Sequence, residues 1–278
     1  MLAPATLWLL FVVGYPVILA ILLSLTDSVV SRPGNFIGLG NFVALSQTKV
    51  FITTLTNSFL FVAVTVALKT ALGTSLALLL NQRLVGQKIW RAAILLPWVV
   101  PIALSTLGWK WMFDPTYSVL NWLLAKLGLC ESGIGWLSHP MLARLSIIVV
   151  NTWRGIPFFA INILAGLKTV PKELYEAAEV DGAGVFTRFW HITIPSIRPV
   201  LATVVLFSTV MTISDFNIVY VLTRGGPMDS THLLATLAYQ TGLTSGFLGK
   251  GAAISLFLFP VLAIVVYFQL RIIRRRWA

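Results

Sequence analysis

KELYEAAEVDGAGVFTRFWHITIPSIRP, residues 172–199, lies between two long apolar segments and decides how the rest of the chain is read. It holds Glu173, Glu176, Glu179 and Asp181, four of only nine acidic residues in 278. Ionised groups are expensive in hydrocarbon, so a stretch this polar belongs in water. The apolar segments on either side are each long enough to cross about 30 Å of hydrocarbon, which makes this stretch a loop between two membrane spans. Its first part reads as a short helix: Pro171 suits a first helical position, Glu173 the positive N-terminal end, and Gly182 a C-terminal stop. A helix of roughly a dozen residues is marginal alone in water, so it leans on another surface. Ala177 and Ala178 form a small-residue patch that permits such an approach, while Glu179 and Asp181 sit at the negative end, where carboxylates need a compensating partner. Composition alone equally allows a solvated loop helix with incidental acids.

Working outward, the preceding span (141–167) carries Asn151-Thr152-Trp153-Arg154-Gly155-Ile156-Pro157-Phe158, and the following one (200–222) ends in Leu222-Thr223-Arg224-Gly225-Gly226-Pro227. Lys168, Lys172, Arg188 and Arg198 put the loop between them on the cytoplasmic side. Earlier in the chain, the second span (58–80) leads to a basic loop with Arg83, Lys88 and Arg91 and no acid, also cytoplasmic. The third (92–113) contains Leu96-Pro97-Trp98-Val99-Val100-Pro101 and is predicted to bend near its start. Residues 114–140 form the longest external loop, whose Trp122 and Trp136 point to re-entrant or interfacial packing. The first span (6–25) has Pro16 as a predicted kink and reads as a retained span rather than a removed signal peptide. The sixth (251–273) returns to Arg271, Arg274, Arg275 and Arg276. Six spans with both termini cytoplasmic satisfy these biases, placing Val85 and Ala278 inside and Leu129 and Met228 outside. Residues 1–278 then form a single membrane domain, with the central loop at about 168–199.

With 58% hydrophobic and 10% charged residues, the chain is an integral membrane protein. A net charge of +11 would suit nucleic acid, but the arginine cluster directly after an apolar run is a cytoplasmic anchor, so no nucleic-acid partner is expected. The lone Cys130 excludes an intramolecular disulfide, and His139, His191 and His232 lack metal-ligand spacing. No Gly-x-x-x-x-Gly-Lys-Ser/Thr phosphate loop and no nucleophile elbow is present, so energy must come from elsewhere and no enzyme activity is expected.

Glu176-Ala177-Ala178, three residues, Gly182, nine residues, and Ile192-Thr193-Ile194-Pro195 together resemble the EAA motif of membrane subunits of binding-protein-dependent ABC importers; Ile194 stands where Leu is commoner. Phe36-Ile37-Gly38-Leu39-Gly40-Asn41-Phe42 and the Leu222–Pro227 turn are similar to signatures of the carbohydrate-type permeases. The resemblance implies an all-α membrane protein with six transmembrane helices of the type I importer permease fold and a cytoplasmic coupling helix. It implies ATPase coupling through Glu173, Glu176, Ala177, Ala178, Asp181, Gly182 and Pro195. The implied partners are a second homologous permease, two ATPase subunits carrying ATP and Mg, an extracytoplasmic solute-binding protein and the lipid bilayer of a bacterial inner membrane. No cofactor is implied in this chain itself.

In the maltose-type permeases the sugar site lies on the two helices flanking the coupling loop. The likeness carries it onto Asn151, Arg154, Gly155 and Phe158 in the fourth span and Ser208, Met211, Thr212 and Asp215 in the fifth. Hydroxyls, an amide and an aromatic face are what a hydroxyl-rich ligand needs. Arg154 and Asp215 are more highly charged than the family pattern, and allow either substrate contact or an ion pair joining the two spans. A disaccharide or other oligosaccharide is the expected cargo, with glycerol phosphate or a polyol as the alternative. From another class, an autonomous ion-coupled transporter would have only Asp215 to work with. Lys69 and Lys110 read as snorkelling or partner-packing side chains.

Overall fold

The structure is a computed structural model and describes residues 3–82, 84–129 and 133–274. Arg83, Cys130, Arg275, Arg276 and Ala278, on which sequence expectations fall, lie outside the described residues. The helices are α1 (Ala3–Ser24), α2 (Gly40–Ser46), α3 (Lys49–Asn81), α4 (Gln87–Val99), α5 (Ile102–Met112), α6 (Val119–Lys126) and α7 (Pro140–Leu167). They continue with α8 (Lys172–Val180), α9 (Val185–Arg188), α10 (Ile194–Ile213), α11 (Asn217–Leu222), α12 (Leu234–Tyr239), α13 (Leu248–Leu256) and α14 (Leu258–Arg274). Five helical stretches are long and apolar enough to cross a membrane, and a sixth crossing follows if α4 and α5 count as one bent span.

Several boundaries differ from the sequence expectation. The second span is much longer than residues 58–80, because α3 is helical from Lys49. The third is broken outright, with a 90° turn between α4 and α5 where Val100 and Pro101 adopt extended backbone. Pro16, predicted as a kink, leaves α1 unbroken. The helix carrying the fifth span does not begin at residue 200: it runs from Val185 to Ile213 through a π-helical turn at Phe189–Thr193, so the later part of the 168–199 loop is itself helical. It also ends earlier, at Ile213, leaving α11 as a separate short helix.

The centre of the bundle is the packing of α3 against α7, with α10 alongside. Close approach is bought by glycine at the crossing: a Cβ on Gly73 would lie 2.3 Å from the Cβ of Phe159. Phe159, Ile163, Leu80 and Ile197 form the buried apolar core there. A second cluster, with Phe61, Phe113, Ile147 and Ile218, closes the bundle on the side of the long loop, where Trp136 packs against Phe113. That loop is folded rather than slack. Ser118 caps α6 by accepting from the Asn121 N–H, and Trp136 Nε1 donates to Asn121 Oδ1 at 2.8 Å. The third cluster joins α12 and α13 to Leu45 and Phe51. By contrast, the apolar stretch of α1 is unburied within this chain; it packs against α13, and Asn41 Nδ2 secures its C-terminal end by donating to the carbonyls of Ser24 and Thr26.

Candidate functional site

The eight residues that the sequence assigns to the substrate path surround one cavity of about 80 Å³ between α3, α7 and α10. They reach it because Asn151, Arg154, Gly155 and Phe158 follow the three-and-four spacing of one face of α7, and Ser208, Met211 and Thr212 do the same on α10. Asp215 lies just past the end of α10. Its Oδ2 accepts from Asn151 Nδ2 at 2.6 Å and its Oδ1 accepts from the Ile218 N–H at 3.1 Å, which opens α11. Phe158 stacks on Trp98 at 5.1 Å between ring centres and meets Phe207 at 5.3 Å, forming an aromatic wall.

Two charged side chains besides Asp215 line the cavity, Arg154 and Lys69. The ion pair between Arg154 and Asp215 is not formed: among the described residues, no carboxylate oxygen lies within 4.0 Å of Arg154. Asp215 is already engaged by Asn151 and Ile218, and the Arg154 guanidinium lies instead over Trp98, 5.5 Å from the ring centre. Lys69 does not snorkel. It is 5% exposed, lines the cavity from α3 and donates from Nζ to Thr212 Oγ1 at 3.0 Å. Gly155 makes room for it, since a Cβ there would lie 2.4 Å from Lys69 Cε. Lys69 stands in the middle of α3, too far from either end for its head to reach water, and that position was the available sequence signal. Trp98, Phe159 and Phe207 also line the cavity, though the sequence reading assigned none of them to the substrate path. Lys110 is exposed at the end of α5.

The loop helix α8 is built as its sequence suggests, with one shift: Pro171 is the N-cap rather than the first helical residue. Gly182 has φ +78°. Its N–H donates to the Glu179 carbonyl at 3.1 Å and the Ala183 N–H to Ala178 at 2.8 Å, a Schellman closure that needs the left-handed conformation. Glu179 finds its compensating partner in Arg188, at 3.0 Å. Tyr175 turns inward, its hydroxyl 3.0 Å from Thr193 Oγ1 in the π-helical turn, and so joins α8 to the long helix leading to the cavity. Glu173, Glu176, Ala177 and Asp181 face outward, Ala178 is half-buried, and Pro195 is exposed near the start of α10. Leu174, Val180, Val185 and Phe186 also stand exposed around them.

At the opposite end, the Leu222–Pro227 turn folds back onto the bundle. Ser230's carbonyl accepts from Asn57 Nδ2 at 2.7 Å and Arg144 Nε at 2.8 Å, and Leu234's N–H donates to Ser58 Oγ at 3.0 Å. Burial holds the His232 imidazole below its ordinary pKa, and Asp229 partly offsets this. Asp114, at the mouth of the long loop, is held below the usual carboxylate range by the N–H groups of Tyr117 and Thr116.

The chain is thus a helical membrane bundle with a polar cavity between α3, α7 and α10 and a short exposed helix on one loop. Residues 69–278 match the family described as "Binding-protein-dependent transport system inner membrane component", and the chain belongs to that family. It is 39% identical, over 86% of its length and 81% of the relative's, to the trehalose/maltose transport system permease protein MalF of Thermococcus litoralis. It is 36% identical, over 99% of its length and 90% of the relative's, to the sulfoquinovosyl glycerol transport system permease protein SmoG of Agrobacterium fabrum. In three dimensions it is similar to a chain of a bacterial ABC transporter involved in the import of the acidic polysaccharide alginate. The TM-score is 0.85 at 25% identity, covering 99% of this chain and 94% of that one. The fold is that of a type I ABC importer permease.

Proposed function

We propose that this chain forms part of the translocation path for a sugar in an ATP-driven importer of a bacterial inner membrane. The observation that carries the reading is the convergence of eight polar, small and aromatic side chains from two distant sequence segments on one central cavity. The sugars named for the two relatives support the same class of cargo. At about 80 Å³ the cavity is smaller than the roughly 300–1,000 Å³ of a ligand pocket, so it needs a second, homologous permease, or an open state, to admit a disaccharide.

Glu173, Glu176, Ala177, Ala178, Asp181, Gly182 and Pro195 serve as the coupling surface for one of two ATPase subunits, which supply ATP and Mg. The exposed Leu174, Val180, Val185 and Phe186 support this, because apolar groups left in water on a short loop suit a protein partner. An extracytoplasmic solute-binding protein delivers cargo on the opposite face. The chain acts as a single membrane domain with both termini in the cytoplasm. Alternating access follows from closure of the ATPases rocking the helices around the cavity.

Affinity capture of the tagged permease from detergent extracts tests the assembly. An ATPase and a second permease are expected in the captured complex, and their absence would favour an autonomous transporter. Cysteine labelling of intact cells tests the orientation: reagent should reach positions 129 and 228, and access to position 85 from outside would overturn it.

A further inference from the structure

The cavity holds two cations, Lys69 and Arg154, and one carboxylate, Asp215. An arginine stays protonated at any physiological pH, so its charge must be met by something. Asp215 does not meet it directly: its oxygens accept from Asn151 Nδ2 and the Ile218 N–H, and among the described residues no ion pair links it to Lys69 or Arg154 within 4.0 Å. Lys69 donates to the neutral hydroxyl of Thr212, and the half-buried Arg154 lies over the Trp98 ring face and makes no hydrogen bond among the described residues. Its Nε is buried and has no hydrogen-bond partner. A buried cationic donor without an acceptor is costly, and a ligand oxyanion would relieve that cost.

Beside it lies a second unpartnered atom of the opposite kind. Asn151 must present Nδ2 to the Asp215 carboxylate, which fixes its amide orientation and leaves Oδ1 as a buried acceptor without a donor. A hydroxyl group supplies that donor. The site therefore offers a charged donor and a neutral acceptor to one molecule.

We infer that the cargo is a sugar or polyol carrying a carboxylate, sulfonate or phosphate, with Arg154 and Lys69 binding the anionic group and Asn151 Oδ1 accepting from a hydroxyl. This rests on the sugar-importer reading and narrows it. The positive pair selects against neutral sugars because an uncharged hydroxyl leaves the excess charge uncompensated.

The test uses the captured, assembled transporter reconstituted in proteoliposomes, with two matched pairs of probes: methyl glucuronide against methyl glucoside, and glycerol 3-phosphate against glycerol. Maltose, inorganic phosphate and a mixture of amino acids complete the set. The acidic member of at least one pair is expected to stimulate ATP hydrolysis and to be taken up at least tenfold better than its neutral partner. Arg154→Gln and Lys69→Gln should each lower that uptake tenfold or more, and Arg154→Lys should retain part of it. Size-exclusion profiles in detergent show whether each variant still assembles, and Arg154→Lys keeps the test decisive if a neutral variant does not. Maltose or the neutral probes working as well as the acidic ones, or Arg154→Gln costing the acidic probe nothing, would overturn the inference while leaving the sugar reading intact. Response to phosphate alone with no preference for the hydroxyl-bearing acids would overturn it as well. Uptake of amino acids with no response to any sugar or polyol would remove the sugar reading itself.

Discussion

The central cavity and the α8 loop break the same rule in opposite directions. In the cavity, Lys69, Asn151, Ser208 and Thr212 are buried polar groups inside an apolar bundle. On the loop, Leu174, Val180, Val185 and Phe186 are apolar groups held out of the bundle among charged neighbours. The cavity groups are partly satisfied within the chain, Lys69 by Thr212 and Asn151 by Asp215, and on the proposed reading a polar ligand completes that satisfaction while a protein surface covers the exposed apolar groups. The two regions also differ in how they are held. The cavity residues are fixed by long helices packed through Gly73 and Gly155, whereas α8 relies on a Schellman closure, one exposed ion pair and the Tyr175 hydroxyl. Changes near the cavity should therefore disturb the fold as well as transport, and changes on the loop should disturb coupling alone.

The largest effect is expected from Gly73→Leu, which sets side-chain atoms against Phe159 where no space exists. Overpacking of this kind costs about 1–3 kcal/mol or more, and the permease should melt earlier and express poorly; thermal unfolding in detergent measures this. Next is Asn151→Leu, which removes the donor to Asp215 Oδ2 as well as a ligand contact. Leaving a buried carboxylate oxygen unsatisfied costs about 1–3 kcal/mol, so uptake should fall by a factor of at least five while the protein still assembles. Ser208→Leu should act in the same direction more weakly. Normal transport by both variants would detach the cavity from the substrate path.

On the loop, Ala177→Trp and Glu176→Lys should lose ATPase retention about tenfold, roughly 1.4 kcal/mol, with membrane insertion and thermal stability unchanged. Pull-down beside a melting curve separates the two, and a fall in stability equal to that of Asn151→Leu would erase the contrast between the regions. Smallest is Arg188→Gln, which removes the ion pair to Glu179. An exposed pair of this type contributes about 0–1 kcal/mol and is screened by salt, so any loss of ATPase retention should be slight and should vanish at high ionic strength.

Much of this was legible in the residues. Runs of apolar side chains interrupted by basic loops locate the spans, because hydropathy and charge act over tens of residues and tolerate local error. Ends were harder. Arg198 and Pro199 look like loop, yet α10 passes through both, because an exposed arginine on the first turns of α10 can sit in water while its backbone stays helical. The Pro97–Pro101 break was legible because proline acts locally, while Pro16 lies inside a continuous α1. In the cavity, the motif spacing brought the α7 and α10 residues together, but Lys69, Trp98 and Phe207 come from no shared pattern and meet the rest only through tertiary packing. Of the two possibilities open for Arg154 and Asp215, the ion pair is not the one formed, and a sequence does not show that Asn151 and a backbone N–H hold the carboxylate while Arg154 lies over Trp98.

The unbroken helix from Val185 to Ile213 has a mechanical consequence. At 1.5 Å per residue, the distance from Val185 to Thr212 is about 40 Å, so a tilt of roughly 5° about its lower end would carry the Thr212 end through about 3–4 Å. That displacement is comparable to the width of one side chain, enough to separate Thr212 from Lys69. The π-helical turn at Phe189–Thr193 is where such a rod would flex first, and Thr193, buried there and in contact with the Tyr175 hydroxyl, braces it. If the loop is pushed as proposed, the stiffness of this lever arm, more than the chemistry at either end, would set how much of that push arrives at the cavity.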